Sequence, residues 1–495
     1  MITIGNQVIK QQKNFWNNCL FHPTDAIEDP WGKRILDRIS QDKAANTIRI
    51  YTMFEDIVYM DGNGELAYDF RLTDLRLDYL VEKGFDILMA FAAMPDCIAA
   101  NKDATRSNSK NKTRYKGKMF NTSIPSDYAL WEEICYTYTK HLVERYGLDT
   151  VKKWHLQCFN EPDIPQFFMS NLPREAVDTR AEEYCKLYTA FANGILRVSE
   201  DLCIGGPTLA EFASFMEHFL NYVKENNLRL DFISYHNYAG TSPYTFLEPD
   251  GKFMIENWVK QNEYVLDSIR KCGFEDTELI VDEWGMSSCG FYNIEECPAF
   301  IARETEVFSA YFVKLIHTIL EKGWKMSKMM ICLSGQHEMV TDFSGFRNFF
   351  TMNFFAKPIY NAYVLSSKLH EGLLSATGDN QNIRVIPTKN EQDDYAVLLT
   401  YTADAFEENL PDITEEIVLP EHAIGKTATI YCIDKTHNNP YRLYERNGYT
   451  PKLTEEQIRI LKDEGNLSVY AKVSVTGAIK LPLTANAVYL IETGV

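Results

Sequence analysis

The chain has no apolar run long enough to span a bilayer, so no membrane-spanning helix is expected. It is short of positive charge: 50 Lys and Arg stand against 69 Asp and Glu, a formal net charge of −19. A nucleic-acid partner needs a basic face, and anionic lipid needs the same, so neither is expected. Its 11 cysteines, an odd number, include no CxxC pair, and its 10 histidines include no His-x-His. Metal ligation usually shows as such spacings, so no metal and no other cofactor is predicted. A glycine-rich phosphate turn is missing too, since neither GxGxxG nor GxxxxGK[ST] occurs. There is no internal repeat and no low-complexity tract. The opening residues, MITIGNQVIKQQKNFW, lack the apolar stretch of a signal peptide. Cys158, Cys203 and Cys332 lie inside apolar runs and read as buried thiols, so a reduced, cytoplasmic protein is the expectation.

What is present is globular. The 495 residues suit two or three domains, with 45% hydrophobic and 24% charged residues. Aromatic content is high at 13%, supplied mostly by 28 Tyr and 29 Phe. Sugar rings stack on such faces, but cores are filled by them as well. Strand-like runs recur at 46–54, 85–95, 152–162, 202–209, 231–238, 278–284 and 328–335, with a weaker one around Cys19 to Phe21. Helical patterns run through 71–83, 127–147, 177–199, 212–226, 257–272 and 301–322. In the second of these, Leu130, Ile134, Tyr138 and His141 to Leu142 form one face, and Gly147 supplies a stop. This alternation predicts an α/β fold, a (β/α)8 TIM barrel over 15–370, in preference to a doubly wound sheet. Beyond it, DYAVLLTYTAD, EEIVLPEH, TATIYCID, LSVYAKVSV and AVYLIET predict a C-terminal antiparallel β-sandwich over 371–495, which the strand-like residues 1–14 would join.

Residues at the C-terminal ends of barrel strands face the active site. Asn160-Glu161-Pro162 ends the fourth run and Asp282-Glu283-Trp284 the seventh. Two carboxylates meeting across a ligand are what glycoside hydrolysis requires, one to protonate the leaving oxygen and one to attack the anomeric carbon. The alternative is that each Glu caps the following helix. A second feature is the loop from Lys102 to Lys118, with Arg106, Lys110, Lys112, Arg114 and Lys116 against Asp103 alone. It reads either as a solvated loop or as a cover that recognises an acidic group or a subunit.

With these residues in view, the sequence resembles glycoside hydrolase family 39. The likeness runs through 124–168, CIGGPTL (203–209), DFISYHNY (231–238), AKPIYNAYVLSSKL (356–369) and 433–462. It implies that Glu161 is the general acid/base, Glu283 the nucleophile and Asn160 the partner of the sugar 2-hydroxyl. It places His236 and Tyr238 near the nucleophile, though both also read as satisfied strand residues. Trp284 is either a stacking platform or core, Tyr51 and Arg49 could reach the ligand, and His155 reads as structural. In xylan-cleaving members a Trp usually precedes Asn-Glu, where this chain has Phe159. A Gly-His-Gly turn is replaced by Ile50-Tyr51-Thr52, a strand-eight Trp by Cys332, and an Asn after the nucleophile by Gly285, with Glu338 only near the usual acidic position.

The expectation is therefore a retaining exo-glycosidase acting on short oligosaccharides, first of all a β-D-xyloside, with an α-L-arabinoside, a β-galactoside or an acidic sugar as alternatives. A carbohydrate-binding protein without catalysis and a metal-dependent barrel hydrolase are the other classes weighed. Homo-oligomers occur in the family, and nothing in the sequence excludes one here.

Overall fold

The computed structural model describes every residue except 22–26, 28, 108–118, 212, 241–253, 289–291, 334–338, 340, 404–408 and 495. Glu338 and five basic residues of the Lys102 to Lys118 loop (Lys110, Lys112, Arg114, Lys116 and Lys118) lie outside the described residues.

The first strand, β1 (Ile2–Gln11), precedes eight that close a parallel barrel. They are β2 (Asn18–Phe21), β3 (Thr47–Tyr51), β4 (Asp86–Phe91), β5 (His155–Cys158), β6 (Cys203–Leu209), β7 (Phe232–Tyr238), β8 (Glu278–Gly285) and β9 (Lys328–Leu333). Each hydrogen-bonds to the next and β9 returns to β2. The helices between and after them are α1 (Pro30–Gln41), α2 (Arg71–Glu82), α3 (Tyr128–Tyr146), α4 (Val177–Leu196), α5 (Ala213–Glu225), α6 (Ile255–Cys272), α7 (Glu306–Lys322) and α8 (Pro358–Ser366). Strands buried on both faces read as continuous apolar runs, which is why the barrel was visible in the sequence.

Local chemistry sets the helix ends. In α1, which the periodicity did not bring out, the Asp29 side chain accepts from the Trp31 N–H and Pro30 opens the helix, while Ile35, Leu36 and Ile39 are buried. The α3 face is rotated from the predicted one: Trp131, Ile134, Cys135, Tyr138 and Leu142 are buried. His141 instead contacts Asp74 at 2.6 Å and stacks on Phe70.

Apart from two short strand pairs (Val58–Met60 with Leu66–Tyr68, and Thr105–Ser107 with Met119–Asn121), the strands beyond the barrel are β10 (Gly372–Thr377), β11 (Ile383–Lys389), β12 (Tyr395–Tyr401), β13 (Ile413–Val418), β14 (Thr427–Ile433), β15 (Val469–Ser474), β16 (Ala478–Leu483) and β17 (Ala487–Thr493). They form one nine-stranded sheet with β1 in the order β15-β14-β17-β12-β11-β10-β1-β13-β16. The sheet is not wholly antiparallel, because β1 runs antiparallel to β10 but parallel to β13. Two helices also interrupt it, α9 (Pro440–Arg446) and α10 (Glu455–Gly465), the latter opened by a capping box between Thr454 and Gln457. Alternation divides the sheet's faces. Val397, Leu399, Tyr489 and Ile491 fill the sheet's own core, while Leu398, Val488 and Leu490 join the barrel's.

Inside the barrel, Leu88, Phe232, Ile280 and Met330 make an apolar floor. Above it lies a polar layer of Arg49, Gln157, Ser234 and Asp282, all fully buried. That layer carries the site.

Candidate active site

A β-bulge in β8 determines which side chains reach the mouth. Opposite β7 the register runs Tyr235 to Val281 and then His236 to Glu283, so Asp282 is the extra residue. Regular alternation would turn Glu283 outward; the bulge resets the phase and re-aims it. Asp282 points into the barrel beneath, and Glu283 enters the mouth.

The same shift corrects one expectation. Trp284 faces out of the barrel, fully buried, stacked on Tyr311 and Phe312 with its Nε1 donating to the Tyr363 hydroxyl at 3.2 Å. It is core packing and touches no site residue.

The other candidates converge. Tyr238 donates to Glu283 Oε2 at 2.7 Å, and Tyr51 donates to Glu283 Oε1 at 3.1 Å. Asn160 Oδ1 accepts from Arg49 Nη2 at 2.8 Å and lies 3.0 Å from the Tyr51 hydroxyl, whose single proton it shares with Glu283. His236 Nδ1 lies 2.8 Å from Glu161 Oε1 and 3.6 Å from Glu283 Oε2. An oxygen of Glu161, an oxygen of Glu283 and a His236 nitrogen all fall within 4.8 Å of one another. Phe159, Glu161 and Thr208 sit at φ +64°, +46° and +57°, a region that side chains rarely adopt and that clusters at functional sites. Cys332 packs with Leu20, Tyr51 and Tyr238, and His155, at the opposite end of β5, pairs with Glu278 at 3.1 Å.

Beneath these groups Arg49 is the hub. Its guanidinium donates to Glu283 Oε1 at 2.8 Å and lies 3.1 Å from Asp282 Oδ2, and it also reaches Gln157 and Thr208. Asp282 accepts in addition from Thr208 at 2.7 Å and Gln157 at 2.8 Å. A further cation enters from above, where Arg347 donates to the Tyr238 hydroxyl at 3.0 Å. Gln157, Thr208, Asp282 and Arg347 were not singled out from the sequence. Asp282 adjoins Glu283 in the chain, but only the bulge gives it a role; Arg347 carries no local signal at all.

These surroundings separate the two glutamates. Burial alone would raise the Glu283 carboxyl, but His236, Arg49, Arg347 and the Tyr238 hydroxyl bring it down to about 2. Glu161 moves the other way. Burial favours its neutral form, and the charges of Glu283 and Asp163 add to that, outweighing the His236 contact. His236 is raised to about 10: burial opposes its charge, but Glu283, Asp282 and Glu161 outweigh it. Tyr51 and Tyr238 are raised well above the ordinary phenol range, chiefly by burial, and stay neutral donors. One carboxyl is thus held ionised and one is biased towards the acid, the division that acid/base and nucleophilic work requires.

Among the described residues, two groups bring three metal-ligating side chains together: Glu161, His236 and Glu283 here, and Cys432, Asp434 and His437 at the end of β14. At the mouth, the charge on Arg49 and on His236 opposes a cation. No helix among the described residues is long and apolar enough to cross a membrane.

The family model of glycosyl hydrolases family 39 matches residues 2–478. A β-xylosidase of Caldicellulosiruptor saccharolyticus is 25% identical over 478 residues, 93% of this chain and 90% of the relative. A β-xylosidase of Geobacillus stearothermophilus is 23% identical, covering 88% and 82%. Among solved structures, a monomeric β-xylosidase from Caulobacter crescentus CB15 superposes with a TM-score of 0.83 at 20% identity, over 99% of both chains.

Proposed function

The chain belongs to glycosyl hydrolases family 39, and from that membership we propose a retaining exo-glycosidase in which Glu283 is the nucleophile and Glu161 the acid/base. The observation that supports the mechanism is that the two carboxylates meet at the barrel mouth, one oxygen of each within 4.8 Å, with Glu283 held ionised and Glu161 biased towards the acid. Retention needs carboxyls roughly 5–5.5 Å apart, whereas inversion needs about 6.5–9.5 Å to admit a water.

In the first step Glu161 gives its proton to the glycosidic oxygen while a Glu283 oxygen attacks the anomeric carbon. Arg49, Tyr51 and Tyr238 keep that carboxylate ionised and fixed in direction. Asn160 has its carbonyl oxygen held by Arg49 and Tyr51, which leaves its amide N–H groups to donate to the sugar 2-hydroxyl. Once the glycosyl-enzyme forms, Glu283 carries no charge. Glu161, now a carboxylate, no longer has that neighbouring charge raising its affinity for a proton; it takes one from the incoming water as the water oxygen attacks the anomeric carbon and the bond to Glu283 breaks.

For the sugar we propose a non-reducing terminal β-D-xyloside of a short oligosaccharide, supported by the β-xylosidase relatives that span most of the chain. The division into a catalytic barrel over 15–370 and an accessory β-domain over 371–495 closed by 1–14 belongs to the same proposal.

The test is hydrolysis of a panel of aryl glycosides (xyloside, arabinosides, galactoside, fucoside and glucuronide), with the anomer first released followed by proton NMR. The xyloside is expected to turn over with retention, and Glu283→Ala to lower kcat by roughly a thousandfold or more. Inverted product would overturn the mechanism, and turnover of another member would replace the sugar. Binding of xylo-oligosaccharide without turnover of any member would favour a carbohydrate-binding protein.

A further inference from the structure

We propose that Arg347 is a positioning residue for the nucleophile, acting through Tyr238, and that a buried charged clamp exists to aim it. This rests on the assignment of Glu283 as the nucleophile.

A phenol has one proton to donate, and a guanidinium can only donate. At the 3.0 Å contact Arg347 Nη1 is therefore the donor and the Tyr238 oxygen the acceptor. That leaves the phenolic proton for Glu283 Oε2, 2.7 Å away. Arg347 thus removes the alternative in which the hydroxyl turns and leaves the carboxylate unbonded. Its charge, 5.7 Å from the centre of the Tyr238 ring, also polarises the phenol in the direction that strengthens the bond to Glu283.

Arg347 lies on the segment after β9, and the two residues before it are gripped from below. Arg303 Nη1 donates to the Gly345 carbonyl at 3.0 Å, and the Gly345 N–H donates to Glu304 Oε1 at 2.7 Å. Lys357 Nζ donates to the Phe346 carbonyl at 3.1 Å and to Glu304 Oε1 at 2.7 Å. Arg303, Glu304 and Lys357 are each 2% exposed or less. Burying such groups is costly, and an apolar substitute often serves stability as well, so their use at one short turn argues that they place Arg347, the next residue in the chain. Gly345 itself has φ +78°, and a Cβ there would lie 2.6 Å from Ile294 Cγ2. The turn therefore admits one geometry. On the far side Gly285 leaves room for the phenol, since a Cβ at that position would lie 3.2 Å from Tyr238 Cε1.

The other charged or titratable groups facing Glu283 and Tyr238 are Arg49 and Tyr51 from β3, Glu161 after β5, His236 from β7, Asp282 from β8 and Cys332 from β9. Of these, Cys332 also makes a side-chain hydrogen bond to Tyr238, but it is a neutral thiol; Arg347 is the cation that donates to the phenol oxygen, and a double variant at the two positions isolates that coupling.

The experiment compares wild type with Arg347→Met, Arg347→Lys, Tyr238→Phe and the Tyr238→Phe/Arg347→Met double variant. Thermal unfolding checks the fold, and kcat and KM are read from pH 4 to 7 on the aryl glycoside that wild type cleaves best. Arg347→Met should lower kcat/KM about tenfold, mainly through kcat, and Arg347→Lys should restore part of the loss. In the Tyr238→Phe background the same change should cost under about threefold. A second measurement needs no substrate: NMR titration of 13C-labelled glutamate, with the Glu283 signal assigned from Glu283→Gln. Its midpoint should rise by about one pH unit in Arg347→Met. A loss carried by a raised KM with kcat unchanged would make Arg347 a direct sugar contact and overturn the proposal, as would additive losses in the double variant. If Glu283→Ala kept full activity while the titration shift appeared, the functional reading would fail and the positioning role with it, leaving only the electrostatic coupling of Arg347 to Glu283 through Tyr238; if Glu283→Ala lost activity and no shift appeared, the positioning role alone would fail.

Discussion

At the scale of single residues, the barrel interior resolves a conflict between charge and burial. Arg49 and Asp282 have no exposed surface and lie 3.1 Å apart, each backed by Gln157 and Thr208. Removing one partner of such a pair leaves the other charge sealed and alone. Asp282→Asn is therefore expected to lower unfolding free energy by about 3 kcal/mol at pH 7, read by urea denaturation. The sign of its pH dependence follows from the direction of the shift. Burial opposes the charge on Asp282, but Arg49, His236 and Thr208 hold the carboxyl well below the ordinary range. Its folded pKa is then below its unfolded one, so its contribution is complete above about pH 4 and fades as pH falls from there. The gap between wild type and Asp282→Asn should narrow over that acid range. A gap that widened on acidification would refute the assignment.

At the scale of elements, the register of β8 decides more than its composition. One extra residue at Asp282 places Glu283 at the mouth and sends Trp284 into the helix layer, an outcome that strict alternation would reverse. Close approach of β6 to β7 is a second such decision. A Cβ on Gly205 would stand 2.3 Å from the Phe232 carbonyl oxygen and 2.7 Å from its ring. Both neighbours are fixed in the sheet, so Gly205→Ala should cost about 3 kcal/mol by the same urea assay. Gly62, where a Cβ meets nothing within 4 Å, is the control, and Gly62→Ala should change stability by about 0.5 kcal/mol or less. Equal effects at the two glycines would show that the barrel wall tolerates a side chain there.

At the scale of the whole molecule, the first strand holds the C-terminal sheet together. β1 lies between β10 and β13, so its loss would leave two new sheet edges and take Ile2 and Ile4 out of the sheet's core. Deleting residues 1–12 is expected to lower the thermal midpoint by at least about 5 °C and to promote association, measured by calorimetry and light scattering. An unchanged midpoint would mean that the sheet closes without it. The C-terminal segment also grips the barrel, where Arg442 and Asn439 hold the fully buried Glu306 of α7 at 2.8 Å each. That contact joins the C-terminal segment to the helix that follows β8.

The barrel strands, the two glutamates and most of the residues around them were legible because their signals are local. A strand buried on both faces is an apolar run, and a carboxylate at its end breaks that run visibly, as Asn160-Glu161 and Asp282-Glu283 do. The fate of Trp284, the role of Asp282 and the approach of Arg347 to Tyr238 were settled only in three dimensions. A bulge is a relation between two strands, and a guanidinium that crosses from one loop to the neighbouring strand's side chain leaves no periodic trace in either segment. Sequence determined which groups are available and which face of the barrel they share. Tertiary structure decided which of them touch, and through those contacts which carboxyl is charged, because electrostatic coupling depends on ångström distances in a dry interior that residue spacing does not encode.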